Sequence, residues 1–241
     1  SYFGIGIEPS GNADPFGLRR CAQAIIEIAR LLDSKHPLSL NTLFKARAQF
    51  PPFKDSKSSE ELCQRISTYL RERFYSLSSP MFHPSHELNS AVLASPHDDL
   101  VDIVERLNSL FQLESMQDAR LLKAAKVIER TRNILKGAPP RQRTVDASRL
   151  QEPLERKLWD LYNGKGGEVV DLAEKKSYVE ATDLFGALFF DPLHEFFDRV
   201  LVNVPDEPIR ENRLALMQAI NTLYTERIAD LSKLTLLQHE E

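Results

Sequence analysis

The sequence predicts an all-α protein arranged as two consecutive helical bundles. Three observations point there. Apolar residues recur at three- and four-residue intervals through most of the chain, the spacing of one buried helical face. Only nine glycines punctuate the 241 residues. Stretches rich in Val, Ile and Thr, the mark of strands, are few. A chain of this length buries one large core or two modest ones. We expect two segments, 1–115 and 116–241, with the border near residue 115.

Apolar residues make up 42% and charged residues 27%, the balance of an ordinary globular protein. No apolar run reaches the roughly 18 to 20 residues that span a bilayer, and no signal-peptide pattern opens the chain. The first residue is Ser1 rather than Met, so a piece of a longer protein is expected. Cys21 and Cys63 both fall in helical patterns and read as small buried hydrophobes with free thiols, in an intracellular protein. The net charge of −4 argues against indiscriminate nucleic-acid binding. Its distribution is uneven. From Lys123 to Arg143 seven basic residues face one acid, Glu129, a local charge of +6 that leaves −10 on the rest. An acidic body with one concentrated basic segment points to an anionic partner there, the plain alternative being a solvated helix face.

Residues 1–13 read as an irregular lead-in whose glycine spacing is neither a dinucleotide fingerprint nor a phosphate loop. Asp14 followed by Pro15 opens a helix burying Leu18, Cys21, Ile25, Ala29 and Leu32, which ends at Lys35-His36-Pro37. A shorter pattern runs from Leu40 to Phe50. A polar spacer, residues 54–59, then leads to a third helix with Leu62, Ile66, Tyr69 and Phe74 on one face. Residues 76–86 read as a loop. His83 and His86 have a His-x-x-His spacing, but prolines interrupt the region and no third ligand is evident, so they read as surface or capping histidines. Ser95-Pro96 starts a helix burying Leu100, Val104, Leu107 and Phe111. Its opening, His97-Asp98-Asp99, has the histidine–aspartate pair of metal phosphohydrolases without further assignable ligands, and aspartates in a first turn already complement the helix dipole.

A basic helix is expected from Gln117 to Lys136. Leu122, Ala125, Ile128 and Leu135 face the core, Lys123, Lys126, Arg130 and Lys136 point outward, and Gly137 terminates it. Pro139-Pro140-Arg-Gln-Arg143 extends the charge into a loop. Asp146 or Ser148 caps a helix bearing Leu150, Leu154, Leu158 and Leu161, with Trp159 at its flank, which the Gly164-Lys-Gly-Gly167 cluster ends. Another helix is expected from Glu168 to Leu188. Phe185, Phe189, Phe190, Phe196 and Phe197 read as the centre of the second core rather than a base-stacking platform. After a loop with Pro205 and Pro208, the last helix buries Leu216, Met217, Ile220, Leu223, Tyr224, Ile228 and Leu231, and Arg210, Asn212 and Arg213 sit at its entrance.

No Ser/His/Asp or Cys/His arrangement, phosphate loop or cysteine metal motif appears, and no His-Glu-x-x-His. No catalytic residue and no metal ligand is assigned.

A resemblance carries the reading further. Phe3-Gly-Ile-Gly-Ile-Glu-Pro-Ser-Gly-Asn-Ala-Asp-Pro-Phe-Gly-Leu-Arg-Arg20 resembles the Gly-x-x-Pro-Thr-Gly-x-x-Asp-Pro-Phe-Ala-Leu-Arg-Arg signature of the β subunit of bacterial glycyl-tRNA synthetases. Lys126-Val-Ile-Glu-Arg-Thr-Arg-Asn-Ile-Leu135 is similar to that family's basic element. Phe197-Asp-Arg-Val-Leu-Val-Asn-Val-Pro-Asp-Glu-Pro-Ile-Arg-Glu-Asn-Arg-Leu-Ala-Leu216, closing with Ile228-Ala-Asp-Leu231, resembles the subunit's last domain. The three stretches stand in family order. In this sequence Asp-Ala-Leu-Arg is replaced by Glu207-Pro-Ile-Arg210, which keeps the arginine and puts Pro208 at the helix entrance, and Glu129 makes the central element less basic.

The resemblance implies the C-terminal part of the β subunit: a helical body segment, 1–115, and an anticodon-binding helical domain of the type named for Asp-Ala-Leu-Arg, 116–241. It implies a cytoplasmic protein partnered by glycine tRNA, by the α subunit or α portion, and by the rest of the β subunit. ATP and Mg would be used by the catalytic α part and no cofactor by this one. Single-stranded RNA is read by splaying bases onto flat side chains while Lys and Arg hold phosphates. On that footing Lys126, Arg130, Lys136, Arg141 and Arg143 are expected phosphate contacts, and Arg132, Asn133, Arg210, Asn212 and Arg213 base or sugar readers. Asn133 and Asn212 could equally cap or bridge helices, and Arg19 and Arg20 are expected to tie the lead-in to the body. Two competing readings are a helical scaffold that docks the catalytic subunit without reading the anticodon, and a relic phosphohydrolase using His97 and Asp98.

Overall fold

The computed structural model describes residues 14, 16–32, 35–48, 56–76, 82–96 and 98–234, without the side chains of 47–48 and 56–59. The lead-in signature, Pro15 and His97 lie outside the described residues. Among those described there are nine α-helices and no strand, as the hydrophobic periodicity requires. The chain divides into two compact units, Ser1–Asn89 with His97–Glu105 and Ser90–Pro96 with Arg106–Glu241.

The first unit contains α1 (Leu18–Leu31), α2 (Leu40–Ala48) and α3 (Ser56–Phe74), with the starts of α4 (His86–Ala94) and α5 (Leu100–Ser115). Asp14 opens α1 as its short carboxylate allows, accepting hydrogen bonds from the backbone N–H of Leu18 at 2.7 Å and Arg19 at 3.1 Å. Gly17 precedes the helix at φ 65°, where a Cβ would be strained. The buried face of α1 is Ala22, Ile26 and Ala29: Ala29 is as expected, while Cys21 and Ile25 give way to their next neighbours and Leu18 and Leu32 are only half-buried. Cys63 is half-buried rather than buried, and the correction on α1 leaves Cys21 exposed. Exposed with it are Ile28 and Leu31, the latter 87% accessible. The spacer expected at 54–59 is already helical from Ser56.

Asp98 and Asp99 are clasps. Asp98 accepts from the Ser39 hydroxyl at 2.5 Å and the Asn41 N–H at 2.8 Å, and Asp99 from the N–H of Leu38 at 2.8 Å and Val101 at 3.0 Å. They satisfy the first turns of α2 and α5, whose N–H groups have no helical partner. α4 was not foreseen: its nine residues are too few to show a period. His86, its first residue, stacks on Tyr75 with ring centroids 4.6 Å apart.

The second unit is built around α6 (Ala119–Lys136), α7 (Pro153–Glu174), α8 (Tyr178–Arg199) and α9 (Glu207–Thr225), which pack as a four-helix bundle. Asp118 caps α6, accepting from the Arg120 N–H at 2.9 Å, and gripping the Arg120 guanidinium at 2.6 Å. Those hydrogen bonds hold the Asp118 carboxyl down to about 2. α7 begins with a capping box. Oε2 of the buried Glu155 accepts from the N–H groups of Gln151 and Glu152 at 2.6 and 3.0 Å.

Two expectations fail in α7 and α8. The cluster Gly164-Lys-Gly-Gly167 does not end α7, which continues for seven residues beyond it, because Val169 and Ala173 still have core to bury. Packing outweighs the roughly 1 kcal/mol that each helical glycine costs. The single helix expected across 168–188 is two. Leu172 and Ala173 carbonyls accept from the N–H groups of Ser177 and Lys176, and Lys176 takes φ 60°, closing α7 with a left-handed residue before α8 begins. α8 packs close on α6 at Gly186, where an added Cβ would stand 3.1 Å from Cβ of Lys123 and 3.2 Å from the Ala124 nitrogen.

The phenylalanines divide by helical phase. Phe185, Phe189 and Phe196 are buried with Leu193 in one stripe, while Phe190 and Phe197, one position round, are half-buried. Tyr224 of α9 is fully buried against Phe185, its hydroxyl 2.7 Å from that of Thr182. α9 ends at Thr225, so Ile228 and Leu231 are core residues of the following segment rather than of the helix. There the Asp230 N–H donates to the Ala91 carbonyl at 2.8 Å, and the buried Arg106 donates to that of Ile228 at 3.2 Å.

Candidate nucleic-acid interface

The basic segment and the α9 entrance both lie in the second unit, and their cationic and amide side chains meet different fates. The first group is consumed inside the protein. Arg213 sits in the core, donating to the Glu155 carboxylate and, at 2.7 Å, to the Leu201 carbonyl. Asn212, also buried, bridges both backbone groups of Asp146: it accepts from its N–H at 2.7 Å and donates to its C=O at 3.0 Å. Arg210 donates to the Val204 carbonyl at 3.1 Å, closing the loop before α9. The Arg143 side chain is only 6% exposed. It meets Glu211 at 3.0 Å and donates to the carbonyls of Pro139 and Arg141. Four residues expected at an RNA surface therefore act as internal struts in this fold.

Three more are spent nearer the surface. Arg141 pairs with the same Glu211 at 2.5 Å and remains 53% exposed. These hydrogen bonds, Arg141 first, lower the Glu211 carboxyl below its ordinary value. Arg132 reaches the buried Asp230 at 2.6 Å, tying α6 to the Ile228-Ala-Asp-Leu231 segment. Asn133 accepts from Lys136 at 3.0 Å one turn on.

The second group is what remains on α6: Lys123, Lys126 and Arg130. They rise one turn apart along one face, as spacing of three and four demands, and line a surface cleft of about 690 Å³ between α6 and α8. The cleft floor is apolar, with Leu122, Val127, Phe190 and Leu193. Lys123 holds its ammonium 5.9 Å above the Phe190 ring, and Lys126 meets Glu129 at 3.5 Å. Arg130, half-buried, has no ion pair among the described residues. His194, beside Asp198 at 3.5 Å, stands on the α8 rim. Glu114 and the Arg120-bound Asp118 close the far end. Phe190 and His194 did not emerge from the sequence as site residues; only the helical phase of α8 separates Phe190 from its buried neighbours.

No group of three or more His, Cys, Asp or Glu side chains able to hold a metal occurs among the described residues. Asp98, offered by its sequence as half of a phosphohydrolase pair, has its carboxylate engaged by Ser39 and Asn41. No helix among the described residues is long and apolar enough to cross a membrane.

Fold and site together define an all-α protein with a cation-lined cleft between α6 and α8. Comparison with known proteins makes this specific: residues 1–94 match the family model described as glycyl-tRNA synthetase beta subunit. The glycine–tRNA ligase beta subunit of Acidobacterium capsulatum is 31% identical over 240 residues, covering 96% of this chain and 33% of its own length. That of Syntrophus aciditrophicus is 32% identical over 233 residues, 97% of this chain and 32% of its own. That of Dichelobacter nodosus is 34% identical over 231 residues, 95% of this chain and 32% of its own. The chain belongs to the glycyl-tRNA synthetase beta-subunit family and spans about a third of the length of the curated relatives it matches.

Proposed function

We propose that this chain is the tRNA-binding, C-terminal part of a cytoplasmic glycine–tRNA ligase, with residues 1–115 as body segment and 116–241 as anticodon-binding domain. It recognises glycine tRNA in the anticodon region, while ATP-dependent glycylation with Mg takes place on an α subunit or α portion. The observation that carries the RNA-binding reading is the α6 face. In an acidic chain, Lys123, Lys126 and Arg130 converge over an apolar floor, and of the three only Lys126 meets a carboxylate, that of Glu129 at 3.5 Å. Lys136 and the outer side of Arg141 extend the same sign of charge. Phosphates are held there by point charges, and bases by the flat and polar side chains between them.

Fluorescence-anisotropy titration with glycine tRNA and an anticodon-altered copy, at two salt concentrations, tests the reading. Tighter binding of the glycine tRNA supports anticodon recognition. Equal binding whose affinity falls with salt at a log–log slope of about −0.7 per single-strand phosphate reduces the segment to an electrostatic foothold. Absence of binding favours a second reading, a scaffold that docks the catalytic part. One observation speaks for it: Ile28 and the 87% exposed Leu31 lie with Cys21 on the open face of α1, an apolar stripe suited to another helix.

A further inference from the structure

We infer that the α6–α8 cleft is a subsite for one unpaired nucleotide, its base stacked on Phe190 and its 5′ phosphate held by Lys126 and Arg130. This deepens the RNA-binding reading and rests on it. While the other ring of the lining, the His194 imidazole, stands exposed on the rim, Phe190 is half-buried at the cleft floor with aliphatic side chains around it. The ring is too confined to serve an extended protein surface and is the right size for one base. Lys123 sits loosely over it, near the outer limit of cation–π contact at about 6 Å, on a flexible stem that yields to an entering ring.

The charges give the subsite a direction. α6 passes from the capped and ionised Asp118, with Glu114 beside it, to Lys126 and Arg130. Arg130 lies twelve positions beyond Asp118, about 18 Å at 1.5 Å per residue. Both acids of the cleft lining, Glu114 and the Arg120-paired Asp118, stand at the first end and none stands beside Arg130, so the sugar–phosphate lies toward Arg130 and the base points back over Phe190. Volume allows it: about 690 Å³ admits a nucleotide with room to spare. An acidic peptide would satisfy the cations but has no flat group for the ring.

The test uses a seven-nucleotide single-stranded RNA with 2-aminopurine at its centre, followed by anisotropy for binding and by quenching for stacking, with glycine tRNA titrated alongside. Phe190→Leu keeps an apolar floor and removes the flat ring; its thermal unfolding serves as the folding control. The expected result is loss of quenching and about tenfold weaker binding, within the range of one base–aromatic stack. Arg130→Gln keeps the quenching at saturation and lowers the salt slope by about 0.7, one phosphate's share. Unchanged quenching and affinity in a folded Phe190→Leu protein overturn the subsite while leaving tRNA binding intact. If the parent chain binds neither RNA, the functional reading fails and the subsite with it. Loss of association with the α part in Phe190→Leu, with RNA binding unaltered, makes the cleft a protein groove and likewise overturns it.

Discussion

Two sets of cations only a few turns apart illustrate how little residue type alone says about role. Arg143, Arg210 and Arg213 each donate to main-chain carbonyls, and two of them also meet a carboxylate, so that they bind the α9 entrance to α7 and to the loops around it. Lys123, Lys126 and Arg130 sit on a regular helix whose own carbonyls are already satisfied, and they turn toward a cleft. The difference comes from the backbone around them. A cation beside a loop finds unsatisfied carbonyls to accept its N–H groups, whereas a cation in mid-helix does not.

The contrast predicts opposite responses to substitution. Arg213→Ala should have the largest effect, about 3 kcal/mol of stability, because Glu155 would be left as a buried charge without its partner. A large drop in melting temperature is the expected readout; a protein as stable as the parent would show that the pair is dispensable. Asn212→Ala strands both backbone groups of Asp146 and should cost about 1 to 3 kcal/mol by denaturant titration. Glu211→Gln removes the shared anion of Arg141 and Arg143 at a cost of about 1 kcal/mol. Its signature is a pH dependence. The folded state lowers this carboxyl below 4.5, so the stabilisation is present above that value and is lost as pH falls beneath it. Melting temperatures of Glu211→Gln and the parent should therefore converge in acid. Arg130→Gln should leave stability within about 0.5 kcal/mol of the parent while weakening RNA binding, the reverse of Arg213→Ala. If both replacements acted alike, the division into struts and cleft residues would fall.

Much of the helical layout was legible from residue spacing. The basic helix begins within two residues of its expected start and ends where expected, since Asp118 is an N-cap; of its expected inward set Ala125 and Ile128 are buried, while Leu122 and Leu135 are only half-buried. Legibility failed where packing overrode local preference, as in the glycines that α7 runs through. It failed too where a single residue changed conformation, as Lys176 does between α7 and α8. On α1 the apolar pattern was broad enough to be phased two ways, and tertiary contacts chose Ile26 over Ile25. At the site, sequence gave the charges but not their partners. That Arg213 is taken up inside the fold depends on Glu155 and on the Leu201 carbonyl, residues 58 and 12 positions away from it.

Gly186 has a bearing on the cleft that its own chemistry would not announce. With no side chain there, α8 settles against Lys123 and Ala124, so the separation of the two cleft walls is gauged by a missing methyl group. Adding that methyl would pry the walls apart by a few tenths of an ångström, one turn from Phe190, without altering any group that a ligand touches. Any exchange at this position widens the aperture, and does so through a residue that never meets the guest.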